Sequence, residues 1–245
     1  NCHIFLEKPF SAGDLDAGHL LANADSKQLK VMSGFNMRFL DPIRRLKSWL
    51  EDGKIGELLS CRISICSYMP NWHPWEDYRE GFMAFHSSGG GALFDCVHGI
   101  DMAQWFAGSI SSLTAFQRTL SLEMETDDIT CLIAETENNV LVDLHFDFLD
   151  KSNRRSIELI GTDGTAIWNL ENEHRLVLYP GDNSNGLCFS SRFDWDSCYV
   201  AEIKYFFECI KENLPIHTDG WNGLDTQKLL EMAKESNSRG VTVRR

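Results

Sequence analysis

Six runs rich in β-branched and aromatic residues, at 58–68, 110–119, 128–136, 140–148, 155–161 and 165–169, constrain most of what this chain can fold into. Runs of that length and texture form strands. Asn138-Asn139 and Asp163-Gly164 fall between successive runs, where hairpin turns are wanted, so the sheet is expected to be open and mainly antiparallel. Two late helical patterns, 199–212 and 223–237, break the texture and supply a flanking layer.

The front of the chain follows a different rule. The apolar run 3–6 meets Glu7-Lys8-Pro9, a Pro-fixed turn. A helical stretch follows, with Ser11 or Asp14 as its cap and Leu15, Leu20 and Leu21 as core positions, and then a strand ending in the polar tip Asn36-x-Arg38. Strand, helix and strand with short connections form a βαβ unit of a parallel sheet. One such unit cannot cover both faces of a parallel sheet, so the chain reads as starting partway through a domain. Beyond it, Pro42 opens a helix with Ile43, Leu46 and Leu50 on one side and Gly53 as its stop.

Composition removes several functional classes. The formal net charge of −13 opposes attraction to phosphate backbones, and no basic stripe is present, so no nucleic-acid partner is expected. No apolar run approaches the roughly 20 residues that span a bilayer, and no secretory leader or N-x-[ST] sequon occurs; no membrane partner is expected. Eight scattered cysteines lack C-x-x-C or paired spacing, which fits a reduced, cytoplasmic compartment.

Three segments could carry chemistry. In "SSGGGALFDCVHGIDMAQWFAG" (87–108) the glycines match neither G-x-G-x-x-G nor a P-loop. They read as a turn into a helix starting near Leu93, with Val97, Ile100 and Trp105 toward a core and Asp95 and His98 sharing a face. A histidine titrating near neutrality beside a carboxylate suits general acid/base work, and equally a polar pair facing solvent. The loop "YMPNWHPWEDYREG" (68–81) concentrates Trp72, His73, Trp75, Glu76, Asp77, Tyr78 and Arg79. Aromatic faces and ionic groups of this kind suit a sugar ring and its substituents, or else pack a loop onto a sheet. His73, Glu76, Asp95 and His98 are ligand types without a metal-site spacing, so no metal is expected. Lys8 sits at the end of a parallel strand, where open α/β sheets bind ligands.

Taken in order, Glu7-Lys8-Pro9, "SGFNMRFLDPIRRLK", "GKIGEL", "GGGALFDCVHGID" and "IELIGTDGTAIWN" resemble successive landmarks of the Gfo/Idh/MocA oxidoreductases over nearly the whole chain. The resemblance implies the C-terminal part of a Rossmann-like parallel sheet (1–35, remnant of an NAD(P)-binding domain). It implies next an α+β substrate-binding and oligomerisation domain (36–245) on an open, mainly antiparallel sheet flanked by helices. It implies NAD or NADP as cofactor near Glu7, Lys8 and Pro9, Lys8, Asp95 and His98 as catalytic residues, and a homo-oligomer. His98 would be the base, Lys8 would stabilise or relay the charge, and Asp95 would orient His98. Substrate contacts fall to Asn36, Arg38, Trp72, Tyr78 and Arg79, and the substrate is expected to be a small sugar or sugar derivative oxidised at a secondary hydroxyl.

Two departures qualify the resemblance. The pair is spaced D-x-x-H rather than D-x-x-x-H, and Gly99 stands where related D-x-x-H-E-x-D sequences carry glutamate. G-x-G-x-x-G is absent, so the sequence reads as N-terminally incomplete and, by itself, inactive. A redox-assisted, NAD-dependent glycoside hydrolase and a non-catalytic sugar-binding or oligomerisation module are the alternatives.

Overall fold

In the computed structural model, which describes residues 2–11, 17–170, 175–181, 185–190 and 195–245, the chain opens with the expected βαβ unit. Strands β1 (Ile4–Glu7) and β2 (Val31–Gly34) pair in parallel, Ile4 opposite Val31 and Glu7 opposite Gly34, with α1 (Ala17–Ser26) between them. Helix α1 buries Ala17, Leu21 and Ala24, one stripe at helical spacing. Leu20 lies off that stripe and is 49% exposed, unlike the core position expected of it. Asp14 and Leu15 lie outside the described residues. Leu21, Ala24 and Val31 form a small apolar cluster with Ile4, Leu6, Phe10, Leu29 and Leu224, separate from the main core.

A one-turn 3-10 helix at Asn36–Phe39 leads into α2 (Asp41–Glu51). Pro42 sits in the first turn of α2, where a missing N–H costs nothing. Ile43 and Leu46 are fully buried and Leu50 is half-buried. Gly53 adopts a left-handed φ of +68° just past the helix end.

The expected strands then appear close to their predicted bounds. They are β3 (Leu58–Cys66), β4 (Ile110–Arg118), β5 (Ile129–Thr136), β6 (Leu141–Asp147), β7 (Arg155–Gly161) and β8 (Gly164–Asn169). Three further strands, β9 (Arg175–Pro180), β10 (Leu187–Ser190) and β11 (Val243–Arg244), extend a nine-stranded sheet in the order β10-β9-β8-β7-β3-β6-β5-β4-β11. Every neighbouring pair is antiparallel except β3 with β6, which run parallel from Ser60 opposite Leu141 to Cys66 opposite Asp147. A parallel pair needs a crossover rather than a hairpin, and the segment between β3 and β4 provides one. It contains the short helix α3 (Ala92–Asp95) and α4 (His98–Ala107).

One face of the sheet is covered by α2 against β8, α4 against β3 and α6 (Gly220–Arg239) against β4. Toward it point the alternate residues Ile63, Leu132, Leu144, Phe146, Ile157, Leu159 and Trp168, all at most 1% exposed. On the opposite face Phe116, Ile133 and Leu141 are each more than half exposed. Helix α5 (Trp195–Lys211) packs against the Asn36–Phe39 turn, and Asp219 caps α6 by accepting from the Asn222 N–H at 2.9 Å. No cysteine is in a disulfide. Among the described residues no helix is long and apolar enough to cross a membrane.

The glycine-rich stretch is shaped by close approach. Gly91 has a φ of +107°, and a Cβ there would collide with the Asp127 carboxylate. That carboxylate accepts from the Leu93 N–H at 2.9 Å, and the Ala92 N–H donates to the Asp127 carbonyl at 2.9 Å, so Asp127 occupies the start of α3. One turn on, Gly99 packs against Phe146, and a Cβ would press into the fully buried ring. Gly99→Ala is therefore expected to lower stability by about 1–3 kcal/mol, because a rigid ring in a close-packed core must shift; urea unfolding of the two forms measures it.

Candidate functional site

Lys8, Asp95 and His98 come together although they lie on three separate elements. Lys8 follows β1, Asp95 ends α3, and His98 begins α4. The single helix expected from Leu93 is broken at Cys96-Val97, with the Gly99 N–H turning back to the Cys96 carbonyl at 2.9 Å. The break changes the pairing. The Lys8 ammonium donates to Asp95 Oδ1 at 2.6 Å and to the Asp95 carbonyl at 3.0 Å. Asp95 therefore anchors Lys8, where the sequence had suggested that it would orient His98.

Among the described residues the His98 imidazole has no hydrogen-bond partner, and its Nδ1 is sealed from solvent. Its ring stands edge-on to Phe35 at 6.2 Å. Burial, and then the charges of Lys8 and Arg155, hold its pKa well below the ordinary value of 6.5. The imidazole is consequently neutral at physiological pH and has a lone pair to offer.

These three residues line a cavity of about 340 Å³ together with Asn36, Met37, Ile65, Cys96, Arg155, Trp195 and Tyr199. Asn36 reaches it from the tip of β2, and its Oδ1 is buried without a donor. Arg155 enters from the start of β7, and Trp195 and Tyr199 from the first turns of α5. Sequence reasoning missed these last three. The segment "NRRSIELIG" already marks Arg155 as a cation just before an apolar strand, a signal that could have singled it out; nothing local distinguishes Trp195 or Tyr199. Of Glu7, Lys8 and Pro9, only Lys8 lines the cavity; Glu7 is exposed, and the Lys8–Pro9 peptide is cis.

The remaining expected substrate contacts lie elsewhere. Arg38 is buried, with Nε and Nη2 donating to Asp101 Oδ2 and Oδ1 at 2.8 and 2.6 Å, Nη1 donating to the His217 carbonyl at 3.1 Å, and Trp105 5.1 Å from its guanidinium. The bidentate pair to a buried carboxylate turns Arg38 elsewhere, and it does not line the Lys8 cavity. Trp72 is half-buried, its Nε1 donating to Ser67 Oγ at 3.1 Å and its ring edge-on to Phe148 at 5.1 Å. The Tyr78 hydroxyl accepts from the Glu123 N–H at 3.3 Å, and Arg79 pairs with Asp77 at 2.6 Å and Glu123 at 3.0 Å. The aromatic loop is thus tied to its own neighbours and to the 119–126 segment, and none of Trp72, Tyr78 and Arg79 lines the cavity. His73 and Glu76 form an exposed pair at 3.5 Å. Among the described residues, the ligand-type side chains that converge are instead Cys66, His145 and Asp147 on the sheet. There His145 Nε2 and Asp147 Oδ2 bond each other at 2.9 Å, and Asp147 Oδ1 accepts from the Leu149 and Asp150 N–H groups at 2.9 and 2.8 Å.

Glu202, one turn after Tyr199 on α5, was also missed. It is 1% exposed and its Oε1 has no donor. Burial, then the charges of Glu7 and Asp101, push its pKa up to about 8.

A model of the GFO/IDH/MocA C-terminal domain matches residues 43–167. D-apiose dehydrogenase of Rhizobium rhizogenes is 23% identical over 261 residues, covering 97% of this chain and 70% of that protein. Myo-inositol 2-dehydrogenase of Thermotoga maritima is 25% identical over 247 residues, covering 96% and 70%. The solved structure of levoglucosan dehydrogenase in complex with NADH and levoglucosan superposes with a TM-score of 0.87 at 21% identity, covering 99% of this chain and 73% of that one. At this identity the superposition establishes a shared fold.

Two outcomes follow from the buried charges around the site. Arg38→Met strands the Asp101 carboxylate and is expected to cost about 3–5 kcal/mol, read by chemical denaturation. Glu202 binds its proton more tightly folded than unfolded, so its stabilising effect is full below its unfolded value of 4.5 and is lost as pH rises through about 8. Between pH 5 and 9 the melting temperature should fall more for the natural protein than for Glu202→Gln, in parallel thermal scans.

Proposed function

The chain belongs to the Gfo/Idh/MocA oxidoreductase family, and on that premise we propose that the Lys8, Asp95 and His98 cavity serves hydride transfer between a secondary hydroxyl of a sugar or sugar derivative and NAD or NADP. The observation that carries the reading is the convergence of these three residues, from three separate elements, on one cavity beside the parallel strand ends. The names of the relatives, apiose and inositol dehydrogenases, support the substrate class.

The residues present fit the reacting end of such a cofactor. Lys8 stands at the C-terminal tip of β1, and Asn36 Oδ1 and His98 Nδ1 are buried polar atoms without partners beside it. No residue here is assigned to the pyrophosphate, because no G-x-G-x-x-G occurs in the 245 residues. When bound, nicotinamide supplies the hydride acceptor. His98, held neutral, takes the hydroxyl proton as the carbon–hydrogen bond gives up its electron pair and the carbon becomes a carbonyl. Lys8 stabilises the negative charge developing on the substrate oxygen, and Asp95 fixes the ammonium in place for that contact. As homo-oligomer partner we propose a second copy of the chain, on the sheet face that exposes Phe116, Ile133 and Leu141.

His98→Ala in the intact protein is expected to lower turnover by about 10²–10⁴-fold while NADH binding, followed by its fluorescence, survives. Unchanged turnover would make His98 structural. Because the Lys8 charge helps depress the His98 pKa, the acid limb of kcat/KM should lie below pH 6.5 and move upward in the residual activity of Lys8→Met. Steady accumulation of NADH during sugar oxidation separates this reaction from a hydrolase that regenerates its cofactor.

A further inference from the structure

Of the three full charges lining the cavity, two cancel. Lys8 and Asp95 are joined at 2.6 Å, whereas among the described residues the Arg155 guanidinium has neither ion pair nor hydrogen bond, and its Nε is sealed from solvent without an acceptor. Arginines in folded proteins are seldom left this way, because a buried donor without an acceptor costs a large part of its desolvation energy. The Trp195 ring lies 4.8 Å from the guanidinium carbon. A cation held over an aromatic face keeps its in-plane N–H groups for other partners, and a planar guanidinium matches a carboxylate through two parallel hydrogen bonds. His98 is neutral, so the lining carries a single uncompensated positive charge, which a carboxylate balances and a phosphate dianion would overshoot.

Building on the oxidoreductase reading, we infer that Arg155, stacked on Trp195, receives the carboxylate of the substrate, making the substrate class sugar acids of the aldonate or uronate type. The carboxylate accepts from the guanidinium edge, and the hydroxyl to be oxidised lies toward His98 and Lys8, which line the same cavity. Arg155 is thus a specificity-determining residue: it selects the substrate and takes no part in the proton or hydride movement.

The test separates binding from turnover. Calorimetry on the intact protein would compare gluconate, glucuronate and galacturonate with glucose and galactose. At least one acid is expected to bind about tenfold or more tightly than its neutral parent, and Arg155→Met to weaken that acid by about 30-fold or more, the usual consequence of truncating one partner of a buried charge pair. Arg155→Lys, which keeps the charge and loses the fork, should fall between the two, and it serves equally should Arg155→Met fold poorly. Equal affinity for acids and neutral sugars, or an acid preference that persists in both variants, would overturn the inference. A sugar acid that binds through Arg155 yet reduces neither NAD nor NADP would sustain the inference and overturn the oxidoreductase reading. Oxidation of neutral sugars alone would do the reverse.

Discussion

The 2.6 Å contact between Lys8 and Asp95 joins groups 87 residues apart in sequence, and the cavity depends on it. One partner belongs to the tip of a parallel strand, the other to a short helix laid on the nine-stranded sheet. A second bond to the Asp95 carbonyl fixes the ammonium against the last turn of α3 as well as against the carboxylate. Both side chains are about a fifth exposed, so the pair is neither a freely solvated surface contact nor a fully dehydrated one. Its electrostatic gain is moderate. What it contributes is position: it holds at the edge of the cavity a flexible, partly exposed cation that would otherwise swing away.

That position rests on local packing further along the chain. Asp127 caps α3 because glycine at 91 lets the backbone approach its carboxylate, and Gly99 lets α4 settle onto Phe146. Both glycines act by what they omit. The break between α3 and α4 then separates Asp95 from His98 and turns them differently, the aspartate to Lys8 and the histidine edge-on to Phe35 with its Nδ1 unpaired among the described residues.

Much of the architecture was legible because period-2 and helical patterning report burial directly. Runs such as "LVDLHFD" alternate cleanly, and β6 forms where they do. The parallel β3/β6 contact was not legible, since it depends on the route of the crossover rather than on either strand's own residues. At the site, Lys8, Asn36, Asp95 and His98 could be named from sequence because each sits at the end of an element. The partner of Asp95 could not, because spacing suggests a neighbour on a continuous helix and this helix is broken. Arg38, Trp72, Tyr78 and Arg79 looked like ligand contacts by residue type. Each has a closer partner, Asp101, Ser67, the Glu123 backbone and Asp77 respectively, and none lines the Lys8 cavity.

Formal charge misleads inside such a site. The chain carries −13 overall, which by itself argues against an anionic ligand. In the interior, however, burial decides which groups ionise. Glu202 holds its proton up to about pH 8, and burial with the charges of Lys8 and Arg155 favours the neutral form of His98. Asp95 spends its charge on Lys8. With those groups accounted for, the cavity of an acidic protein presents one unshielded cation, Arg155, backed by an aromatic ring. The field of the acidic surface is screened by aqueous ions within about 10 Å, whereas the guanidinium acts at contact range inside the cavity. Bulk charge and local selectivity therefore point in opposite directions without conflict, and it is the local arrangement that governs what the cavity can hold.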